Sequence, residues 1–187
     1  MKACWFDAFG AAHDVLQQGD WPTPEPGPGE VLVQLHTTGV NPSDVKKRAG
    51  GFPDLLAAGP VIPHSDGAGM ITAVGEGVSP SRVDERVFVY QAQYGRQLGT
   101  AAQYVALDSA CAPVLPDNAS FEVGACIGIP IMTAHRCVFA DGPIADQLIL
   151  VTGGAGRVGH YAIQWAHRAG ARVIATASNE QDATACR

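Results

Sequence analysis

Between Leu148 and Ala175 the chain passes from a short apolar run through a glycine-rich turn into a mixed segment, and ends on a second apolar run after Gly170. Leu148 to Val151 has the composition of a strand buried on both faces, and Gly154, Gly156 and Gly159 complete a G-x-G-x-x-G pattern directly behind it. Val158, Ala162, Ile163, Trp165 and Ala166 recur at helical spacing, Gly170 stands where a helix stops, and Arg172 to Ala175 reads as the next parallel strand. A glycine turn in strand-turn-helix-strand context is a dinucleotide-binding turn. Its first glycine allows the sharp turn, its second admits a pyrophosphate, and its third lets the helix press on the sheet. Ala155, Arg157 and Val158 fill the positions between these glycines, where free N–H groups and the helix dipole favour an anion. Arg157 either clamps the pyrophosphate, crowds it, or faces solvent.

The end of the second strand discriminates between cofactors. An NAD site carries Asp or Glu about 20 residues beyond the glycines to hold the ribose 2'-hydroxyl. Here the sequence is Thr176-Ala177-Ser178-Asn179, small and neutral, with Ser178 and Asn179 able to donate to a 2'-phosphate. NADPH is therefore expected. Glu180 and Asp182 oppose it nearby, and Arg187 is the only basic residue after this strand.

The 187 residues, 47% hydrophobic and 16% charged, are enough for one large or two small domains. A net charge of −6, with no basic cluster beyond Lys46-Lys47-Arg48, argues against a nucleic-acid or anionic-membrane surface. No apolar run of about 18 residues spans a membrane, and Asp7 comes too early for a signal peptide, so a cytoplasmic protein is expected. Five cysteines without a C-x-x-C pair suggest buried free thiols, with neither a disulfide framework nor a zinc knuckle.

From Met1 to about Leu115 the texture is short strands punctuated by glycine and proline. Strands are expected at Val31 to His36, as a pair within Val61 to Gly77 around Gly67 to Gly75, at Arg86 to Tyr90 and at Ala101 to Leu107, with a helix cap at Ser120. Gly128 and Pro130 divide 121–140 into two short helices. The expected fold is α/β plus β. A β-rich domain covers 1–118 and the beginning of a nucleotide-binding domain covers 119–187.

Gly39-Val40-Asn41-Pro42-Ser43-Asp44 with Arg48 and Gly50 forms one cluster of matching residues. Asp66-Gly67-Ala68-Gly69, Val74-Gly75, Arg86-Val87, Gly99-Thr100, Tyr104-Val105 and Met132-Thr133-Ala134 form the others. Together they resemble the medium-chain dehydrogenase/reductase superfamily, within it the zinc-independent quinone oxidoreductase group that includes zeta-crystallin. The resemblance covers nearly the whole chain. It implies a GroES-like β-barrel followed by a Rossmann domain, and hydride transfer from NADPH to a quinone or related α,β-unsaturated carbonyl. It also implies that Asn41 lies near nicotinamide and substrate, where its amide would bond a carbonyl oxygen, although the residues alone also allow a turn Asn before Pro42. Thr133 matches a threonine that approaches the nicotinamide ribose or carboxamide; its alternative is a helix-interior Thr. Asp44 and Arg48 are expected to pair, and Lys46 or Lys47 faces either substrate or solvent.

Zinc alcohol dehydrogenases of this superfamily carry Cys where Asn41 stands and His where Ser65 stands, so no metal is expected, and His64 reads as a packed or surface residue. His160 and Gln164 share a helix face but make a poor metal site. The chain stops soon after the second strand, which is expected to leave unpaired edges, as in a fragment or a chain that forms a homodimer. The alternatives are a non-catalytic interaction module and a relative of the zinc-type alcohol dehydrogenases.

Overall fold

The computed structural model describes residues 1–186. It divides into two compact units, Met1–Ile129 and a second from Pro130 onward.

The first unit is built on a four-stranded antiparallel sheet ordered β5-β4-β3-β6, from β3 (Glu30–Gly39), β4 (Asp66–Val74), β5 (Arg86–Val89) and β6 (Tyr104–Asp108). Alternation along β3 turns Val31 and Val33 into a core with Ile71, Val87, Val89, Val105 and Leu107. Register shifts between Leu32 and Val33 and between Leu35 and Thr37 bend β3 where it meets β4. Gly69 is needed there because a Cβ would stand 1.9 Å from the Gln34 carbonyl oxygen. A second small sheet, β1 (Lys2–Trp5) with β2 (Gln17–Asp20), escaped the sequence pattern, as did the short helices α1 (Ala12–Val15) and α2 (Pro42–Arg48). Each is too short to show a period. α2 starts at Pro42, whose fixed φ suits the first helical position.

Helix α3 (Phe121–Cys126) is capped by the Ser120 hydroxyl, which accepts from the Val123 N–H at 3.3 Å. It packs on β3, β4 and β5. The division between units therefore falls after Ile129 rather than after residue 118, because α3 belongs by packing to the sheet that precedes it.

The second unit comprises α4 (Ile129–Phe139) from its second residue on, β7 (Leu148–Val151), α5 (Arg157–Arg168), β8 (Arg172–Ala175) and α6 (Glu180–Ala185). β7 and β8 pair in parallel from Leu148–Arg172 to Val151–Ala175. Ile149 and Val151 pack with Ala134, Ala162 and Ile163, whereas Leu148, Leu150 and Ile174 are more than half exposed. The expectation of strands buried on both faces is thus met on one face only. Gly170, at φ +83°, ends α5 as its position suggested. All five cysteines are free, but none is fully buried: Cys126 and Cys137 are exposed and the others half-buried. Among the described residues no helix is long and apolar enough to cross a membrane.

Candidate functional site

The glycine turn is a wound backbone knot with an open mouth. Its left-handed residue is Gly153 at φ +66°, the residue before the first glycine of the motif. Gly154 is required for another reason, since a Cβ would meet Cys186, Ala175 and Ile163 within 3 Å. At Gly159 a Cβ would stand 2.2 Å from the Gly153 carbonyl oxygen, which is the close helix-to-turn approach expected of the third glycine. Gly156 is the N-cap of α5 and Arg157 its first residue, both exposed, with Val158 exposed behind them. Thr176, which the motif did not single out, pins the turn by accepting the Gly153 N–H on its hydroxyl at 2.9 Å.

A cavity of about 430 Å³ opens here, lined by Gly153, Ala155, Gly156, Thr176, Ala177, Ser178 and Asp182. Ser178 lies in its wall, beyond the end of β8. Asn179 caps α6, accepting from the Asp182 N–H at 2.9 Å and donating one side-chain N–H to the Asp182 carboxylate at 3.0 Å. That bond brings Asp182 to the cavity wall. A larger hollow of about 620 Å³ lies on α5 and β8 but contains none of the turn glycines. Thr133 is exposed on α4.

In the first unit Asn41 is buried at the head of α2. Its N–H donates to Asp44 at 2.7 Å and its side-chain amide donates to Asp66 Oδ2 at 2.8 Å. Asp44 gives Oδ2 to that cap and does not pair with Arg48, whose guanidinium instead reaches the Gly10 carbonyl. Asp66 is fully buried, and the same Oδ2 accepts the Ile129 N–H at 2.9 Å. Burial pushes the Asp66 carboxyl up to about 6, and the nearby Asp44 adds to it; the hydrogen bonds from Ile129 and Asn41, and the Lys47 charge, pull the other way. His64 occupies a left-handed conformation at φ +74°, its Nδ1 3.0 Å from the Thr38 hydroxyl. Burial lowers its pKa, opposed by Asp44. Thr38 in turn touches Thr100, which donates to the Asp66 carbonyl at 2.6 Å.

Of the two lysines, Lys46 is exposed, whereas Lys47 is half-buried and bonds the Gln93 side-chain oxygen at 2.9 Å. Burial lowers the Lys47 pKa against the pull of Asp44 and Asp66. Lys47 and Gln93, together with Phe52, Leu55, Tyr94 and Arg96, line a cavity of about 530 Å³ in the first unit. His160 and Gln164 share only a bond from the Gln164 amide to the His160 carbonyl. Among the described residues no three His, Cys, Asp or Glu side chains gather as metal ligands.

Residues 27–117 match the alcohol dehydrogenase GroES-like domain. The chain is 35% identical over 182 residues to the quinone oxidoreductase of Rattus norvegicus, covering 97% of this chain and 54% of that protein. It is similar to the quinone oxidoreductases of the medium-chain dehydrogenase/reductase superfamily. The human quinone oxidoreductase is 34% identical with the same coverage. Among solved structures, the Escherichia coli quinone oxidoreductase complexed with NADPH superposes with a TM-score of 0.83 at 27% identity, over all of this chain and 55% of that one. An alcohol dehydrogenase superfamily protein from Novosphingobium aromaticivorans gives 0.87 at 32% identity, over 99% of this chain and 56% of that one. The chain therefore spans about half the length of the relatives it matches, and its units have the GroES-like and Rossmann-type architectures that the resemblance implied.

Proposed function

We propose that this chain supplies the GroES-like domain and the dinucleotide turn of an NADPH-dependent, zinc-independent reductase of quinones or related α,β-unsaturated carbonyls. The observation that carries the proposal is the cavity at the glycine turn. Its wall is backbone at Gly153 and Gly156, it lies beside the N-terminus of a twelve-residue helix, and Ser178 stands at the strand end in place of an acid. That site fits a dinucleotide: the N-terminal end of α5, with its dipole, for the pyrophosphate and the Ser178 hydroxyl for the 2'-phosphate. NADPH is also what the E. coli relative's structure contains.

When bound, the nicotinamide supplies a hydride, and the quinone takes up that hydride and a proton to become the hydroquinone. The chain's own residues orient and desolvate. One Asn41 N–H is engaged by Asp66, which leaves the second to donate to an acceptor carbonyl as negative charge develops there. Thr133 is assigned to the nicotinamide side and Arg157 to the pyrophosphate. Zinc independence follows from the donor types, because the neutral Asn41 amide and the Ser65 hydroxyl replace the Cys and His of the zinc enzymes.

Titration of the purified protein with NADPH, followed by NADPH consumption against a panel of quinones and enals, tests the proposal. Binding with turnover is expected. No binding, or tightly bound zinc with alcohol oxidation, refutes it. A second reading, a non-catalytic module pairing with another copy of itself, is favoured by the exposed Leu148, Leu150 and Ile174. A monomer by light scattering removes that reading.

A further inference from the structure

Asp66 opens β4 opposite Gly39 and is shut off from solvent. Its backbone is fixed by hydroxyls, with Thr100 donating to its carbonyl at 2.6 Å and Thr38 at 3.3 Å. One carboxylate oxygen, Oδ2, then takes two donors: the Asn41 side-chain amide at 2.8 Å and the Ile129 N–H, the first of α4, at 2.9 Å. The other oxygen, Oδ1, is buried without a hydrogen-bond partner and is pressed against Gly128, where a Cβ would stand 2.2 Å away. A buried carboxylate left half unpaired is costly. The position is occupied by an acid all the same.

We propose that Asp66 is a positioning residue that fixes which way the Asn41 amide faces. The inference rests on the role given to Asn41 above. An ionised carboxylate only accepts, so it admits one amide orientation, with Nδ2 towards Oδ2 and the second N–H left to donate. A protonated carboxyl also donates, and it tolerates the inverted amide, which presents oxygen where the acceptor needs a donor. The charged groups facing Asp66 are Asp44 and Lys47, both on α2, and the titratable His64 sits two residues before it. Burial raises the carboxyl to about 6, which places the two Asn41 orientations within reach of neutral pH.

The test is NMR of the whole chain, following the Asn41 side-chain amide and the Asp66 carboxyl together from about pH 5 to about pH 8. The Asn41 signals should move with the Asp66 titration, and Asp66→Asn, which keeps an accepting oxygen, should flatten the movement without unfolding the protein. In turnover assays Asp66→Asn should lower kcat about tenfold with the NADPH KM within about twofold, and the loss should disappear in an Asn41→Ala background. Asn41 signals that ignore both pH and the substitution overturn the proposal. A wild-type protein that binds no NADPH refutes the proposed function instead, and the NMR titration still decides the role of Asp66.

Discussion

The surroundings of Asp66 and those of Gly153 are polar regions built in opposite ways. Asn41, Asp44, Ser65 and Asp66 are all buried, and their bonds run between residues distant in sequence, from Asn41 to Asp66 and from Asp66 to Ile129. At the turn, Gly153, Gly156, Arg157 and Ser178 are exposed, and the whole device is contained between Leu148 and Asp182. A closed region responds chiefly to charge, because an ion there has no water to fall back on. An open backbone cradle responds chiefly to volume, because it works by leaving side chains out.

The largest expected effect tests the volume side. Gly159→Ala puts a methyl 2.2 Å from a backbone oxygen that cannot rotate away. The cost should exceed the roughly 3 kcal/mol at the top of ordinary overpacking, so NADPH affinity should fall by more than about a hundredfold. The unfolding of the β-rich unit should stay where it was. Tight NADPH binding by this variant would mean that the cradle does not depend on backbone approach.

The charge side is tested by pH. Asp66 lies near 6 in the folded protein against an ordinary 3.8, so folding favours its protonated form. The stability it lends is therefore fully present below 3.8 and is lost as the pH rises through about 6, at a cost of about 3 kcal/mol to the neutral-pH protein. Asp66→Asn should accordingly be more stable than the wild type by up to about 3 kcal/mol at pH 7.5, a gap that closes towards about pH 4. His64, lowered by burial, slopes in the opposite direction but is common to both proteins and cancels in the difference. Denaturant melts at several pH values measure the gap. A constant difference across that range would show that Asp66 is ionised in the fold throughout.

The same contrast explains what could be read from the chain. The turn was legible because its signals are local: Leu148 to Val151, the helix to Arg168 and the strand from Arg172 all lie where the glycine spacing puts them. Even there the left-handed residue proved to be Gly153, since the motif fixes the order of glycines but not their φ angles. The Asp66 region was not legible in its chemistry. Asp66 stood in a matching run of residues, yet only folding brings Asn41 and Ile129 to one oxygen across dozens of residues. Asp44 misled for the same reason, because its charge suggested Arg48 while the nearer bond was to the N–H of Asn41. The strands β1 and β2 carry no clear alternation, and pairing with each other defines them.

The smallest effect concerns cofactor choice, where charge acts in the open region and solvent weakens it. Ser178 lines the cavity, whereas Asn179 is held by Asp182 through its oxygen and one of its two side-chain N–H groups. Ser178→Asp should therefore cost NADPH binding about 1 to 2 kcal/mol, on the order of tenfold, and leave NADH nearly unchanged. Asp182 already stands in the wall with the wrong sign for a 2'-phosphate. Removing that charge with Asp182→Asn keeps the helix cap and should tighten NADPH about threefold, a gain that fades as salt screens the site. Fluorescence titrations with both cofactors at low and high ionic strength resolve the two effects. A wild-type protein that prefers NADH would place the adenosine ribose against Asp182 rather than Ser178, and would turn the acid beside the turn from an obstacle into the cofactor's partner.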